Sequence, residues 1–436
     1  MSKRTGAIAL ACSAVLAVGF FGKIAYAADP VAPATLTPAP MATPEVAPAV
    51  DAGPTSVLNE YGLNKMGAGK FLADAGIKVG GYVEGSYTYN FRGPRSEINE
   101  GRVFDFEHNA ARLNQLAVQV ARSVDAPTIA ADAKAGKFDI GFGLDMQYGS
   151  DARLIHANGL NGYGSATHPI NQFDLTQAYV DFIIPVGNGL DIKVGKFVTL
   201  FGNETIAPIP SITGSSGNAL YSHSYNFGFG IPFTHTGVLA TYALNDKLSI
   251  TAGFTRGWEQ ATKDNNGSID GLASVAYTVN DDLKITGNIS VGPQKAHNSK
   301  DYRYVFEAIV AYAPKKSPIS IAVDGLFGSE QHSSLTGKTA YWYGVTGYVG
   351  YTLSDMLTLN GRAEWFRDDG GSRLGLSANF YEVTAGVSIK PFYKDKIGQN
   401  FQIRPEVRFD YADKDAFGGG SHKTQATAAV DAIFAL

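Results

Sequence analysis

From Ile77 onward the residues alternate between two kinds of side chain, and that period of two constrains the fold more than any other feature. In the first stretch Ile77, Val79, Gly81, Val83, Gly85, Tyr87, Tyr89 and Phe91 share one face of an extended chain, while Lys78, Glu84, Ser86, Thr88 and Asn90 share the other. A later stretch sets Phe138, Ile140, Phe142, Leu144, Met146 and Tyr148 against Asp139, Gly141, Gly143, Asp145 and Gln147. Near the end Phe401, Ile403, Pro405, Val407, Phe409 and Tyr411 oppose Gln402, Arg404, Glu406, Arg408 and Asp410. Charge keeps to the second face, so one side wants lipid or core and the other wants water. A sandwich strand of a soluble protein alternates too. The period therefore names the strands and leaves their surroundings open.

Carried along the chain, the pattern predicts about sixteen strands, at 77–91, 113–122, 138–148, 173–184, 190–201, 234–244, 247–258, 271–279, 283–291, 302–313, 319–327, 340–353, 357–367, 380–391, 401–411 and 425–436. The connections separate barrel from sandwich. After even-numbered strands come tight turns such as Asn245-Asp246, Asn280-Asp281-Asp282, 314–318 and Ser354-Asp355-Met356. After odd-numbered strands come long segments rich in Gly, Asn, Ser and His, at 92–112, 149–172, 202–233 and 328–339. Short turns at one end and long loops at the other mark an outer-membrane barrel, whereas a sandwich has no reason to sort its loops by strand parity. One segment departs from the rule: 123–137 is long where a short turn is expected.

Aromatic placement is a second, independent indication, because Tyr and Trp favour the headgroup level of a bilayer. Tyr242, Tyr277, Tyr312 and Tyr351 lie on the apolar face just before short turns and form an inner girdle. Tyr89, Tyr148, Trp258, Phe327, Trp365 and Tyr411, on or near that face where strands meet long loops, form the outer one. The chain closes with Val430, Ala432, Phe434 and Leu436 on one face. Such an apolar strand end is usual in barrel proteins, although here the last residue is Leu where it is often Phe.

The N-terminal residues read as an export signal over 1–27. Lys3 and Arg4 precede an apolar run from Ala7 to Phe21, and Ala25-Tyr26-Ala27 offers a cleavage site. Removing Lys3, Arg4 and Lys23 takes the formal charge from −4 to −7, which argues against nucleic acid as a partner. Cys12 is the only cysteine. A lipoprotein reading of it fails because the apolar stretch before it is too short, so the mature chain is expected to have no disulfide, thiolate metal site or cysteine nucleophile. Residues 28–54, mostly Ala, Pro, Thr and Val, read as an extended periplasmic spacer. Residues 55–76 are expected to form a short, partly helical segment, with Val57, Leu58, Tyr61 and Phe71 as its apolar residues, before a barrel at 77–436. Beyond Phe21 no apolar run approaches the ~18 to 20 residues of a membrane helix. A membrane form must then be a closed barrel, which satisfies every backbone hydrogen bond internally.

Several segments carry a family resemblance. They are Gly80-Gly81-Tyr82-Val83-Glu84, Asp145-Met146-Gln147-Tyr148-Gly149-Ser150-Asp151-Ala152, Gln177-Ala178-Tyr179-Val180-Asp181, Gly195-Lys196-Phe197 with Gly202-Asn203-Glu204, Pro232-Phe233-Thr234-His235-Thr236-Gly237, and Arg362-Ala363-Glu364-Trp365-Phe366-Arg367-Asp368. In order and spacing the chain from about Gly76 to Leu436 resembles the outer-membrane β-barrel porins of the OmpL-like type. The resemblance implies a channel in the bacterial outer membrane and no enzymatic activity.

A barrel of about sixteen strands leaves room for an aqueous lumen, with selectivity set by charged rings and constrictions. The expected function is diffusion of small hydrophilic solutes or ions. A substrate-specific channel is the main alternative, and a structural or adhesive barrel or an outer-membrane lipid hydrolase are further ones. Loop 202–233, with Glu204 and His223, is expected either to fold inward and narrow the pore or to remain an ordinary external loop. Arg362, Glu364, Glu382, Arg404, Glu406, Arg408 and Asp410 are the candidate pore-lining charges, with Glu204 as a constriction residue. Inward side chains on one strand stand about 6.6 to 6.8 Å apart, so Arg404-Glu406-Arg408-Asp410 makes a ladder of alternating sign. Any wet lumen also lines itself with paired charges.

Lys196 sits at a lipid-facing position by strict parity. A bulge at Gly195 that turns it inward, or a place near an interface, is expected. The histidines show no metal-site spacing, no cofactor is implied, and His223-Ser224 is the one pair that suggests a hydrolase. Asp- and Asn-rich loops such as Lys263-Asp264-Asn265-Asn266-Gly267 fit turn chemistry as well as cation binding. Outer-membrane lipid is the expected surrounding partner, and a homotrimer is the assembly common among porins.

Overall fold

A computed structural model describes residues 67, 69–124, 126–160 and 170–436. The strands are β1 (Lys78–Asn90), β2 (Ala110–Arg122), β3 (Asp139–Gly149), β4 (Gln172–Ile184), β5 (Leu190–Val198), β6 (Thr234–Asn245), β7 (Leu248–Thr255), β8 (Asp270–Asn280), β9 (Leu283–Pro293), β10 (Tyr302–Tyr312), β11 (Ile319–Glu330), β12 (Ala340–Ser354), β13 (Leu357–Asp369), β14 (Ala378–Ile389), β15 (Phe401–Ala412) and β16 (Thr424–Ala435). Each pairs antiparallel with its sequence neighbours, and β1 pairs with β16 from Tyr82↔Ala435 to Asn90↔Thr427, so the sheet closes. Closure removes every sheet edge, which is what a bilayer demands of strands.

The side-chain period decides which face points where. Along β15 the residues Glu406, Arg408 and Asp410 are buried, while Val407, Phe409 and Tyr411 between them are exposed. The same inversion runs round the barrel: Val345, Val383 and Phe254 are exposed and Thr346, Thr384 and Thr255 buried. An apolar outside with a polar inside is the arrangement for lipid around the barrel. Among the described residues no helix is long and apolar enough to cross a membrane.

Most loops sort by parity as the sequence implied, but 390–400 between β14 and β15 is a second long connection where a short turn is expected. The long connection between β2 and β3 holds a helix, α2 (Ala126–Lys134). Of the segment expected before the barrel, the described residues hold a short helix, α1 (Gly69–Asp74), in which Phe71 is exposed; Val57, Leu58 and Tyr61 lie outside the described residues, as do 1–27 and 28–54. Tyr277, Tyr312 and Tyr351 stand exposed before short turns, and Tyr89, Tyr148 and Tyr411 stand exposed at the other rim. Trp258 is a correction to the outer girdle. Strand β7 ends at Thr255, and Trp258 turns inside, where its indole N–H donates to Ser290 Oγ at 3.1 Å.

Val383, mid-strand on β14 and 59% exposed, tests the lipid-facing assignment. Val383→Lys is expected to lower folding stability in lipid vesicles by about 2–4 kcal/mol, read from denaturant unfolding.

Candidate functional site

Register across the wall arranges the inward charges into rows. Asp324 (β11) lies opposite Thr346 (β12), Thr346 opposite Glu364 (β13), Glu364 opposite Glu382 (β14) and Glu382 opposite Asp410 (β15). Two residues toward the short-turn end, Arg362 (β13) lies opposite Thr384 (β14), which lies opposite Arg408 (β15). Glu406 follows on β15, and then Arg404, opposite Asp431 on β16. The ladder anticipated on β15 is thus one column of a larger array, in which the rows of Asp410 and Arg408 repeat their sign sideways and the row of Arg404 meets an acid.

The 199–233 connection between β5 and β6 lies against this array inside the barrel, and the array binds its backbone. Glu406 accepts the N–H groups of Tyr221 (2.8 Å) and Ser222 (3.1 Å). Glu364 does the same for Tyr225 (2.6 Å) and Asn226 (2.7 Å), the start of a π-helical turn at Asn226–Gly230 whose free amides favour an anion. The arginines take the carbonyls. Arg404 donates to Asn218 O at 2.6 Å and Pro208 O at 3.2 Å, Arg362 to Ser222 O at 2.5 Å, and Arg408 to His223 O at 2.5 Å.

Side chains complete the clamp. Arg362 also donates to Glu204 and Glu382, both at 2.6 Å, while the Tyr225 hydroxyl donates to Asp410 at 2.9 Å. Arg102, from the loop between β1 and β2, joins Asp410 at 2.5 Å and pairs with Asp105. Ring contacts add to it: Tyr225 stacks near Phe366 and Phe380, and Phe104 meets His223 edge-on. Gly101 at φ +68° sits where a β-carbon would come within 3.0 Å of the Tyr225 ring.

All nine sequence candidates, Lys196, Glu204, Arg362, Glu364, Glu382, Arg404, Glu406, Arg408 and Asp410, are inward and at most 7% exposed. At this level they touch one another and the loop instead of standing free in water. Lys196 is inward, and Gly195 beside it has the irregular backbone, though without the register shift of a bulge. The register shift is in β4, where Asp145 pairs with Gln177 but Met146 with Leu175, and Lys196 Nζ donates to the carbonyls of Leu175 (2.6 Å) and Thr176 (3.0 Å) with Asp174 at 3.4 Å. Gly195 contributes a φ of +138°, since a β-carbon there would meet Ala178 O at 2.2 Å.

His223 and Ser224 do not make a nucleophile and base. Ser224 Oγ donates to Glu204 at 2.6 Å, whereas His223 Nε2 faces Thr205 O and Asn218, each at 3.2 Å. No three His, Cys, Asp or Glu side chains among the described residues gather as a metal ligand set. Sequence reasoning overlooked Arg102, whose partner Asp410 lies about three hundred positions away, Asp105, which pairs with Arg102, and the inward acids Glu307, Asp324 and Asp431. Period two marks those three acids on their polar faces.

Residues 76–436 match the family described as "Putative beta-barrel porin-2, OmpL-like". The chain belongs to this family. It is a porin of the bacterial outer membrane, a channel for small solutes. Among curated proteins no significant match is found.

Solved structures share the barrel at low identity. The outer membrane channel DcaP of Acinetobacter baumannii superposes with a TM-score of 0.52 at 11% identity, covering 83% of this chain and 97% of its own. An anion-selective porin from Comamonas acidovorans gives 0.52 at 10%, covering 83% and 99%. OmpF of Salmonella typhi in complex with daunomycin gives 0.51 at 13%, covering 83% and 97%. At such identities the likeness establishes the fold of this porin and leaves its solute to its own residues.

Arg404 bridges Asp431 at 2.5 Å and Glu84 at 3.3 Å. Arg404→Met leaves both acids buried without their cation, and is expected to cost about 3–5 kcal/mol in denaturant unfolding of the purified porin. Arg367→Met, which removes a half-exposed pair with Asp369 at 3.0 Å, is expected to cost no more than about 1 kcal/mol in the same assay.

Proposed function

We propose that this porin is a narrow diffusion channel preferring cations and neutral hydrophilic solutes, with loop 202–233 and the charges that hold it as the constriction. One observation carries the ion preference. Among the described residues, sixteen buried Asp and Glu side chains face only five buried Arg and Lys. Surplus charge of one sign in a low-dielectric wall raises the local concentration of the opposite ion. Neutralising the surplus with entering cations is the cheapest route to solvating those acids.

Backbone clamping supports the narrow bore. Glu364 and Glu406 hold four loop amides, and Arg362, Arg404 and Arg408 hold four loop carbonyls, so the loop spans the interior as a fixed element. A second reading, a dedicated solute site, is favoured by how closely this region packs, since a tight bore discriminates by contact. Residues 1–27 act as the export leader and 28–54 as a periplasmic spacer in this proposal, the exposed apolar band faces lipid, and the barrel performs no catalysis.

Reconstituted in a planar bilayer under a KCl gradient, the mature porin is expected to give a reversal potential of the sign for cation preference. A potential near zero, or of anion sign, contradicts the charge argument. Replacing both Glu364 and Glu406 by Ala frees the Tyr221–Asn226 amides and is expected to raise single-channel conductance above that of the wild type. Unchanged conductance removes the loop from the constriction. Block of the wild-type current by micromolar amounts of one solute class distinguishes the dedicated-site reading.

A further inference from the structure

Water reaches one half of the bore and not the other. At the short-turn end the inward side chains of Thr241, Thr251, Thr278, Ser320 and Thr358 are partly exposed. At the long-loop end β10 to β14 each turn an apolar residue inward: Val305, Leu326, Trp342, Phe366 and Phe380, none more than 4% exposed. Each lies within four residues of the strand end that meets a long loop. Alternation sets their facing, as Val305 shows by lying between exposed Tyr304 and Phe306. Phe197, Leu239 and Leu272 enter the same space from β5, β6 and β8. A water-filled mouth has a polar inner wall and no use for such residues.

Loops fill the space these residues enclose. Phe104, Ile155, Phe201, Trp258 and Phe417 come from the long connections that follow β1, β3, β5, β7 and β15, and they join the wall residues in one buried cluster. Tyr225, Phe227 and Ile231 of the inserted loop belong to the same cluster. The rings of Phe104, Phe227 and Phe233 form a triangle with centroids 5.3 to 6.3 Å apart. The Trp342 indole N–H donates to Gly230 O at 3.0 Å, and a β-carbon on Gly230 would come within 2.1 Å of the Leu326 side chain, so the loop backbone lies directly on the wall. Where Phe104 and Ile206 border Tyr221 and His223, no room for a water molecule is left.

Hydrated solutes pass a polar constriction by exchanging water for protein oxygens and N–H groups. An apolar cluster offers no such exchange, so a solute entering it gives up hydration without a substitute. A void lined by apolar side chains also stays dry, and hydrophobic constrictions in channels close by dewetting. The wall charges lie nearer the short turns: on β13, Glu364 stands two residues below Phe366, and Arg362 two further. They hold the loop's backbone, while the apolar cluster beyond them shuts the passage.

We propose that this porin rests closed, with the apolar cluster in the outer half of the barrel as its gate. It conducts when the external connections carrying Phe104, Trp258 and Phe417 part from the inserted loop at Tyr225, Phe227 and Ile231. The gate rests on the reading of loop 202–233 as the constriction and adds its regulation. Its loop residues come from the long-loop side, whereas the half-exposed vestibule behind it opens on the short-turn side. Whatever opens the channel therefore acts on its outer surface.

Cys12 is the only cysteine of the chain, so the porin expressed from residue 28 has none and a single introduced thiol reports alone. Thr278→Cys and Leu272→Cys place it on the wet and the dry side of the gate, both facing inward on β8. A charged, water-soluble thiol reagent is expected to label Thr278→Cys at least about tenfold faster than Leu272→Cys in the folded barrel. Equal rates overturn the proposal. In planar bilayers the wild type is expected to stay closed for most of a recording. Phe227→Ser, which puts a hydroxyl into the ring triangle, is expected to raise the fraction of time open about tenfold, while Phe227→Leu behaves as the wild type. A wild type that conducts steadily from insertion, or a folded Phe227→Ser that opens no more often, overturns the gate. If Phe227→Ser fails to fold, the thiol pair and the wild-type recording decide. The conductance of single open events in the Glu364 and Glu406 double variant tests the constriction, and the fraction of time open tests the gate, so the two readings fail separately.

Discussion

A carboxylate or guanidinium on every second residue of a strand can satisfy two backbone groups of a chain laid across it, and this barrel depends on that fit. Successive inward residues rise by about 6.6 to 6.8 Å, close to the advance of two residues in an extended crossing segment. Arg404, Glu406 and Arg408 accordingly meet Asn218, Tyr221 with Ser222, and His223 in order. A loop carrying so many unpaired amides and carbonyls would be costly inside a barrel. The wall charges remove that cost, and the loop in return keeps the charges from standing bare in a low-dielectric interior.

The exchange explains why alternation had to be so strict. Outside, each strand offers lipid an apolar residue at every odd step; inside, it offers the loop a hydrogen-bonding group at every even one. A slip of one residue would reverse both faces together. The register departs from strict pairing where a side chain needs turning. An extra residue in β2, where Glu84 pairs with Gln115 and Gly85 with Leu113, brings Asn114 inward to Asp151 and the Tyr221 hydroxyl. The shift in β4 leaves the carbonyls of Leu175 and Thr176 to accept from Lys196 Nζ.

Strands were legible because their signal is local. Every one of the sixteen is written in its own alternation, and the loop lengths give the orientation. The inward charges on β13, β14 and β15 were legible for the same reason. What a residue touches across the bore was not: nothing near Arg102 points to Asp410, and nothing near Glu204 points to Arg362. Trp258 misled because the pattern continued by parity past Thr255, where the strand had already ended. Lys196 was expected to turn inward and does, but the carbonyls of Leu175 and Thr176 that hold it lie on the neighbouring strand, about twenty residues away, and leave no mark in its own stretch. Period two reads a strand's own faces and is silent about its partners.

Amide hydrogen exchange on the purified porin measures the central interaction directly, since it reports whether the loop backbone is held. The Tyr221, Ser222, Tyr225 and Asn226 amides are expected to exchange as slowly as amides within the strands. Exchange at the rate of an unstructured loop would mean that the wall charges do not clamp the backbone, and the account of the bore built on them would be wrong.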